Sequence, residues 1–496
     1  MKNQQAPAGQ EPATQGQLAA NEGRGVSSQS AWGDLLSGAN AMRALVLAGG
    51  VVLHAVNVYI VITILPTVVQ DIGGLDLYAW NTTLFVVASI LGSALSPKLL
   101  AMTGPQASYG LAAVIFAVGA VLCAAAPSMS ILLFGRFIQG IGGGFLFALA
   151  YAMIRVVFEE QLWPRAMALV SGMWGVATLA GPAIGGVFAE WGMWRAAFGS
   201  VALIAVLFAV LAVGVLPKRE PQSGTEAKES IPLIQLILLT LAVLAISAGS
   251  TSTEFLPHVL GLVLAVVLGA ALIVVERRSQ SDLLPSGTFR FRSEIAGLYT
   301  LMSLLVLTVT SAEVFAPLFL QVLHQQSPLV AGYLAALMGA GWTVGAVISS
   351  GLSGRAIEQA ILAGPVCGLL GMVGLVFLVP DASTGLFLDL VPICLALALI
   401  GLGVGLAWPH LLVRVLQAVS AKEQELAGAS ITTIQLFATA SGAALAGMVA
   451  NAGGLIDPGG VEGTRQAAYY LFGVFAVAPL FGIIVAWNCK AKKQSD

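Results

Sequence analysis

The sequence carries little charge. Asp, Glu, Lys and Arg make up only 9% of its 496 residues, whereas a soluble protein carries about 25%. Hydrophobic residues make up 58% and the mean hydropathy is +0.91, which predicts an all-α integral membrane protein. The net charge of −2 gives no basic surface for a nucleic-acid partner.

Groups for metal or covalent chemistry are also scarce. Cys123, Cys367, Cys394 and Cys489 lie far apart in apolar runs, so we interpret them as small packing residues. The four histidines are equally scattered, and the sequence has no phosphate-binding Gly-x4-Gly-Lys-Ser/Thr loop. We therefore expect no metal, no cofactor, no ATP drive and no intramembrane enzyme site. A sensor would need a folded soluble domain, which the short polar segments do not provide.

The two ends of the sequence are polar. Residues 1–42 begin with a stretch rich in Gln, Gly, Ala and Ser, which predicts a flexible cytoplasmic tail. Residues 489–496 form a second, short cytoplasmic tail. No basic-then-apolar signal peptide stands at the start, so the first spanning helix is expected to serve as the insertion signal.

Apolar runs of about 20 residues are long enough to cross a bilayer as helices. Fourteen such runs are predicted, at 43–66, 78–100, 106–126, 129–154, 166–189, 195–216, 231–249, 256–275, 295–322, 329–352, 359–379, 388–412, 427–450 and 467–488.

The basic residues give the orientation, because cytoplasmic loops collect Lys and Arg. With both termini in the cytoplasm, all of the 22 basic residues except Arg136, Arg195 and Arg465 fall on the cytoplasmic side. A miscounted helix would scramble this asymmetry, so it supports the count of spans. We expect a multi-pass protein of the cell inner (cytoplasmic) membrane.

An internal repeat divides the chain. GIGGGFLFAL (140–149) resembles GLGVGLAWPH (401–410), and the same spacing relates Gly181 to Gly442 and Gly186 to Gly447. We predict a six-helix bundle over 43–216, a linker with two inserted spans over 217–294, and a second six-helix bundle over 295–488. Two repeated bundles around a site at the membrane midplane are typical of secondary transporters.

Several motifs resemble those of one transporter family. RFIQGIGGG (136–144), GVATLAGPAIGG (175–186), WRAAF (194–198) and ILPTVVQDIGG (64–74) are similar to motifs of the major facilitator superfamily, in its fourteen-helix drug:proton antiporter branch. The resemblance runs from about residue 43 to 488. It implies a major-facilitator-type fold and proton-coupled export.

Arg136 lies about six residues, or roughly 9 Å, inside the fourth predicted span. An arginine at this depth faces a wet cavity or a partner, unless its side chain reaches the headgroups. The resemblance implies a place near the substrate cavity and a role in proton transfer. Gln139 lies on the same helical face and can bond Arg136 or a ligand.

Small residues follow Arg136 and recur in the next span. Because membrane helices associate through close packing of small side chains, they predict tight helix contacts. The resemblance implies that the fifth span packs against the opposite bundle and governs gating, while ordinary tight packing is the alternative. The residues are Gly140, Gly144, Gly175, Gly181, Pro182, Gly185 and Gly186.

The sequence departs from the family pattern in the first span. Many drug:proton antiporters carry an aspartate where this chain has Asn57. His54, one turn earlier, can change charge near neutral pH, although a packing histidine is the alternative. The loop after the second span also lacks the family's acid, since no Asp or Glu occurs between Asp76 and Glu159.

Glu313 is the only carboxylate deep within a predicted span, about nine residues or 14 Å from its outer end. Burial disfavours the charged form of a carboxylate. Glu313 is therefore our candidate proton carrier, with Arg136 and His54 as further proton-coupling residues and an Arg136–Glu313 interaction as one hypothesis. A structural glutamate bonded to Ser303, Thr310 or a backbone carbonyl is the alternative.

The leading functional hypothesis is a monomeric, proton-linked exporter of small amphipathic compounds that works by alternating access in the lipid bilayer. Asn57, Gln139, Trp174 and Trp408 are the candidate substrate-cavity residues. The alternative is an exporter of one endogenous metabolite or lipid-like molecule without strict proton coupling, which the missing first-span aspartate favours.

Overall fold

The computed structural model describes residues 32–218, 232–279, 282–290, 292–381, 383 and 385–493. Residues 1–31 of the predicted flexible tail, most of the linker before the inserted spans, and the last three residues lie outside the described residues. Every regular element in these described ranges is helical, as the composition predicts.

Fourteen helices of 16 residues or more occur in the described part of the chain. They are α1 (Gly38–Ile72), α2 (Trp80–Ala124), α3 (Met129–Val157), α4 (Trp163–Glu190), α5 (Trp194–Val215), α6 (Leu233–Ser250), α7 (Phe255–Glu276), α8 (Glu294–His324), α9 (Pro328–Ser350), α10 (Arg355–Leu378), α11 (Phe387–Gln417), α12 (Gln424–Ala450), α13 (Gly460–Phe475) and α14 (Val477–Lys493).

The number of membrane spans agrees with the sequence prediction. Thirteen helical segments of the described chain are long and apolar enough to cross a membrane, with α13 and α14 together forming the last one. The 45-residue α2 accounts for two predicted spans, because it kinks at Gly104. Gly104 has φ 76° and ψ 173°, a backbone conformation that favours glycine. Counting the two halves of α2 separately gives fourteen spans.

Several predicted boundaries shift: the first span ends at Ile72 instead of 66, and α14 continues to Lys493, within the predicted C-terminal tail. The N-terminal tail is predicted to extend to residue 42, but Trp32–Leu35 forms a short helix, Leu35 is buried and α1 begins at Gly38. The last span was predicted to begin at 467 and instead begins at Gly460. Residues 38–42 and 460–466 are the first turns of helices whose apolar parts follow, which hydropathy alone does not reveal.

Glycines bring the same pair of helices together in each bundle. A Cβ at Gly140 or Gly144 of α3 would overlap backbone atoms of Phe85 or Ser89 in α2. In the second bundle, Gly401 and Gly405 of α11 make the equivalent contacts with backbone atoms of α9. The internal repeat in the sequence therefore corresponds to a repeated backbone contact.

The two inserted helices, α6 and α7, form a hairpin with a close contact near its turn. A Cβ at Gly261 would lie 2.6 Å from the carbonyl oxygen of Ala245. The side-chain amide of Asn451, which follows α12, donates to the carbonyl oxygen of Ser250 in the hairpin at 2.7 Å. It also donates to the carbonyl oxygen of Asp76 in the first bundle at 3.1 Å. Asn451 therefore joins the hairpin and both bundles.

Two of the sequence motifs meet at this end of the first bundle. The carboxylate of Asp71 accepts hydrogen bonds from the indole of Trp194 at 3.0 Å and from the guanidinium of Arg195 at 2.5 Å. Arg195 also donates to the carbonyl oxygen of Ala126 at 3.2 Å. These bonds fix the start of α5 against the end of α1.

The close α2–α3 contact predicts the effect of one added methyl group. Gly144→Ala places a Cβ against the backbone of Ser89, so we expect the free energy of unfolding to fall by about 1–3 kcal/mol. Thermal unfolding of the purified protein in detergent measures it. Gly214→Ala is the matched control, because a Cβ there meets no other heavy atom within 4 Å. Equal melting temperatures for the two variants would contradict the contact.

Candidate functional site

Arg136 is buried in α3, with 2% of its surface exposed. Its Nη1 donates to the side-chain oxygen of Gln139 at 2.6 Å, and its Nε donates to the carbonyl oxygen of Asn81 at 3.4 Å. Its guanidinium carbon lies 4.0 Å from the centre of the Phe85 ring, a cation–π contact. Within the described ranges Arg136 forms no ion pair, so neutral groups alone surround this charge.

A polar row continues from Arg136 to the first helix. The side-chain nitrogen of Gln139 donates to the side-chain oxygen of Asn57 at 3.1 Å, and both residues are buried. The side-chain nitrogen of Asn57 has no protein hydrogen-bond partner among the described residues. The structure therefore brings together three of the predicted site residues, in the order Arg136, Gln139 and Asn57.

His54 lies one turn from Asn57, among aromatic rings. Its ring centre is 5.2 Å from that of Phe85, 5.4 Å from that of Phe147 and 6.1 Å from that of Trp174. A Cβ at Gly143 would lie 2.8 Å from Nδ1 of His54, so this glycine gives the imidazole its space. His54 and Trp174 thus share an aromatic cluster in the first bundle.

Trp408, the other predicted aromatic cavity residue, belongs to a separate cluster. Its ring centre lies 5.5 Å from that of Trp342, and both tryptophans belong to the second bundle. Trp174 and Trp408 therefore mark one aromatic surface in each bundle, and no ring contact joins them in the described structure.

Glu313 is partly buried in α8, the first helix of the second bundle. Its carboxylate interacts with the hydroxyl of Tyr59 in α1, the first helix of the first bundle. The Tyr59 hydroxyl also faces Thr178 of α4 and lies 3.3 Å from where a Cβ of Gly339 would be. The structure thus pairs Glu313 with Tyr59 and not with Arg136, against the hypothesis of an Arg136–Glu313 interaction.

Tyr59 is the site residue that sequence analysis missed. It lies two residues after Asn57, on a different face of α1, and nothing in the spacing of the first span relates it to Glu313. Only the packing of α1 against α8 brings the two side chains together. No hydrogen bond joins Glu313 to Ser303 or Thr310 in the described structure, although Thr310 lies three residues earlier on the same face of α8.

The predicted glycines of α4 have different neighbours. Gly181 and Gly185 pack against α1 within the first bundle, since a Cβ at either would clash with Tyr59 or Ile60. At Gly175, by contrast, a Cβ would meet no heavy atom within 4 Å. Gly175 is therefore not packed against another helix in this structure, and the tight contact of α4 begins beyond it.

The rest of this motif packs against the second bundle. A Cβ at Gly186 would lie 2.5 Å from Cα of Leu329 in α9. A Cβ at Gly332 would lie 2.7 Å from Thr63 and 3.3 Å from Pro182. The expectation from the resemblance, that this helix packs against the opposite bundle, agrees with these contacts.

The closest contacts between the two bundles lie at one end of the molecule, which we call the closed end. Besides the α4–α9 contacts, Tyr78 stacks on Phe315 with ring centres 5.1 Å apart. A Cβ at Gly447 would lie 2.5 Å from the Cβ of Ala79. At the opposite, open end, the Arg155–Glu425 pair is highly exposed and its charged atoms are 3.9 Å apart, so it contributes little.

Metal chemistry finds no ligand set here. No group of three or more His, Cys, Asp or Glu side chains that could hold a metal ion occurs in the described part of the chain. The site consists of the Arg136 row, the His54 aromatic cluster and the Glu313–Tyr59 pair between the bundles.

Comparison with known structures supports the same architecture. A peptide transporter POT in complex with sulfate superposes with a TM-score of 0.65 at 15% identity, over 90% of this chain and 94% of that one. An inward-facing, unoccupied bacterial homolog of the human lysosomal transporter Spinster gives a TM-score of 0.61 at 14% identity, over 90% and 96%. At these identities the likeness concerns the fold.

Sequence relatives lie closer. A probable multidrug-efflux transporter of Mycobacterium tuberculosis (strain ATCC 25618 / H37Rv) is 39% identical over 93% of this chain and 97% of its own length. The multidrug transporter protein MdtP of Bacillus subtilis (strain 168) is 26% identical over 84% of this chain and 76% of its own. The sequence model of the Major Facilitator Superfamily matches residues 47–446. The chain is therefore a membrane transporter, not an enzyme, and belongs to the major facilitator superfamily.

Proposed function

We propose that the protein exports small amphipathic compounds in exchange for protons, by alternating access between its two bundles. The observation that carries this proposal is the Glu313–Tyr59 pair: a carboxylate within the membrane, on the first helix of one bundle, faces a hydroxyl on the first helix of the other. The multidrug-efflux names of its relatives support the class of substrate.

The closed and open ends define one state of the transport cycle. The positive-inside pattern assigns the open end, where Arg155 lies, to the cytoplasm and the closed end, where Asp76 lies, to the outside. The protein then lies in the inner membrane of a bacterium with both termini in the cytoplasm. The substrate enters between the bundles from the cytoplasmic side. The outward state requires the closed-end contacts to separate.

Glu313 links the proton to this motion. The charged carboxylate is costly where the bundles meet and exclude water, whereas the neutral acid can be buried there. Protonation of Glu313 therefore favours one packing of α8 against α1, and release of the proton favours the other. Tyr59 supplies a hydrogen-bonding hydroxyl in either state.

Arg136 and His54 act within the first bundle. Neutral hydrogen-bond acceptors and the Phe85 ring hold the guanidinium, so its charge adds a positive field to the site without cancelling that of Glu313. In this proposal Asn57, Gln139, Trp174 and Trp408 contact the substrate when the bundles rearrange. The protein works as a monomer with the substrate, protons and lipid as its partners.

One observation favours a second candidate, export of a single endogenous metabolite or lipid-like molecule without strict proton coupling. Arg136 bonds to amides and backbone, and Asn57 stands where the family resemblance expects an acid. A site without that acid has one titratable group fewer for coupling. It also offers less attraction for multivalent cations.

The proton-carrier role predicts the behaviour of Glu313→Gln. Glutamine cannot release a proton, so we expect uphill efflux from vesicles to be lost and the remaining downhill transport to ignore an imposed pH gradient. Glu294→Gln is the control on the same helix, because Glu294 is exposed in its first turn. Uphill efflux by Glu313→Gln with the wild-type pH response would exclude Glu313 as the carrier.

The polar row predicts a second, graded pair of variants. Gln139→Leu removes both hydrogen bonds of Gln139 and leaves their buried partners unpaired. Each unpaired group is expected to lower the free energy of unfolding by about 1–3 kcal/mol. Gln139→Glu keeps an acceptor for Arg136, so we expect it to melt at a higher temperature than Gln139→Leu. Thermal unfolding in detergent compares them. Identical melting temperatures for both variants and the wild type would show that the row contributes nothing to stability.

A further inference from the structure

The linker between α7 and α8 contains a short buried stretch, Leu283 to Pro285, between the exposed residues Asp282 and Ser286. We call residues 282–290, which include this stretch, the wedge. Leu283 and Leu284 are only 8% and 6% exposed, although they lie in a segment without regular helix between two spans. Neither the proposed transport site nor the repeat explains why a connecting segment is buried.

Two carboxylates hold the wedge from opposite sides. One side-chain oxygen of Glu276, at the end of α7, accepts the backbone N–H groups of Leu283 at 2.8 Å and Leu284 at 2.7 Å. Glu423, before α12, accepts the backbone N–H of Ser286 at 3.0 Å. Hydrogen bonds from Ser286, and then from Ser420, hold the pKa of the Glu423 carboxyl below its usual range, so it is charged at neutral pH.

The two bundles face each other along two pairs of helices, α2 with α12 and α4 with α9, and we call each of these boundaries a seam. The wedge fills the seam between α2 and α12 toward the open end. Leu283 and Leu284 form one cluster with Ile90 of α2 and Leu236 of α6, and Ile434 of α12 packs against it. At the closed end, Ala79, the residue directly before α2, meets Gly447 of α12. This side of the molecule is therefore covered along both halves of the membrane.

The other seam, between α4 and α9, has no such cover. The contacts of its glycines run from Gly186–Leu329 to Thr178–Gly339. Toward the open end, a Cβ at Gly172 or Gly175 of α4 would meet no heavy atom within 4 Å. The two seams thus differ at a similar membrane depth: the wedge packs into one, and the glycines of α4 have no neighbour in the other.

We infer that the wedge restricts access from the bilayer to one side of the transporter. It closes the α2–α12 seam to lipid, and compounds dissolved in the cytoplasmic leaflet reach the central site between α4 and α9. The substrate class rests on the proposed function; the difference in access between the seams does not. The inserted helices then have a structural role. Leu236 of α6 packs against Leu283 and Leu284 of the wedge, and Glu276 of α7 binds the wedge backbone.

Cysteine labelling tests the difference in access. In a chain whose four cysteines are replaced by alanine, Ile90→Cys reports the wedge side and Gly172→Cys reports the open side. The probe is N-pyrenylmaleimide dissolved in the lipid of proteoliposomes. We expect Ile90→Cys to react at least about tenfold more slowly, the equivalent of about 1.4 kcal/mol. Similar rates at the two positions would overturn the inference.

Removal of the wedge should abolish this difference. Leu283→Ser combined with Leu284→Ser is expected to speed the labelling of Ile90→Cys about tenfold and to leave Gly172→Cys unchanged. Glu276→Leu, which removes the acceptor for the wedge backbone, is a second variant with the same expected effect. Glu276→Gln retains an acceptor oxygen and is its control. Unchanged labelling in both wedge variants would contradict the inference.

A transport measurement tests the entry route itself. Gly172→Trp places a large side chain on the open side, so we expect it to slow efflux of a membrane-partitioning bisbenzimide dye several-fold. Gly214→Trp, at another open surface, should leave efflux unchanged. Equal effects of the two tryptophans would exclude entry between α4 and α9. Because labelling needs no proton gradient, failure of the Glu313 experiment would leave the labelling result standing.

Discussion

Close approach of backbones is the constraint on which this structure depends. Lipid is as apolar as the helices, so burial of apolar side chains gives little drive for helix association, and dispersion contacts between backbones must supply it. Glycines of α3 and α11 bring these helices against α2 and α9 at equivalent positions of the two bundles. Each bundle is thereby held together by its own contacts, so a contact between the bundles can open while each bundle stays folded.

The two charged groups of the site belong to different bundles and do not form an ion pair with each other. Arg136 stays inside one bundle and meets its hydrogen-bonding needs through Gln139 and Asn81. Glu313 belongs to the other bundle and meets Tyr59 across the boundary. A direct ion pair would hold the bundles together and would have to break before they could separate. With neutral partners instead, the charge on the acid can change without breaking a buried ion pair.

Much of the architecture could be predicted from the sequence, because spans and sidedness follow from hydropathy and from the placement of Lys and Arg. The Arg136–Gln139 bond could also be predicted, since three residues on a helix lie on one face. The partner of Glu313 could not, because it depends on how α1 meets α8. Gly175 shows a limit of inference from motifs. It belongs to a motif that predicts tight helix packing, yet no other helix packs against it in this structure. The wedge gave no signal, since Leu283 and Leu284 look like any short apolar pair in a linker.

Asn451 carries a consequence for how the molecule divides when it moves. Its amide reaches the carbonyl oxygen of Ser250 at 2.7 Å and that of Asp76 at 3.1 Å, so one side chain is shared by three bodies. Separation of the bundles at this end must break the bond to Asp76, while the bond to Ser250 can survive because it crosses no moving boundary of the repeat. The hairpin would then move with the second bundle, and the two moving halves would differ in size: six membrane spans against eight.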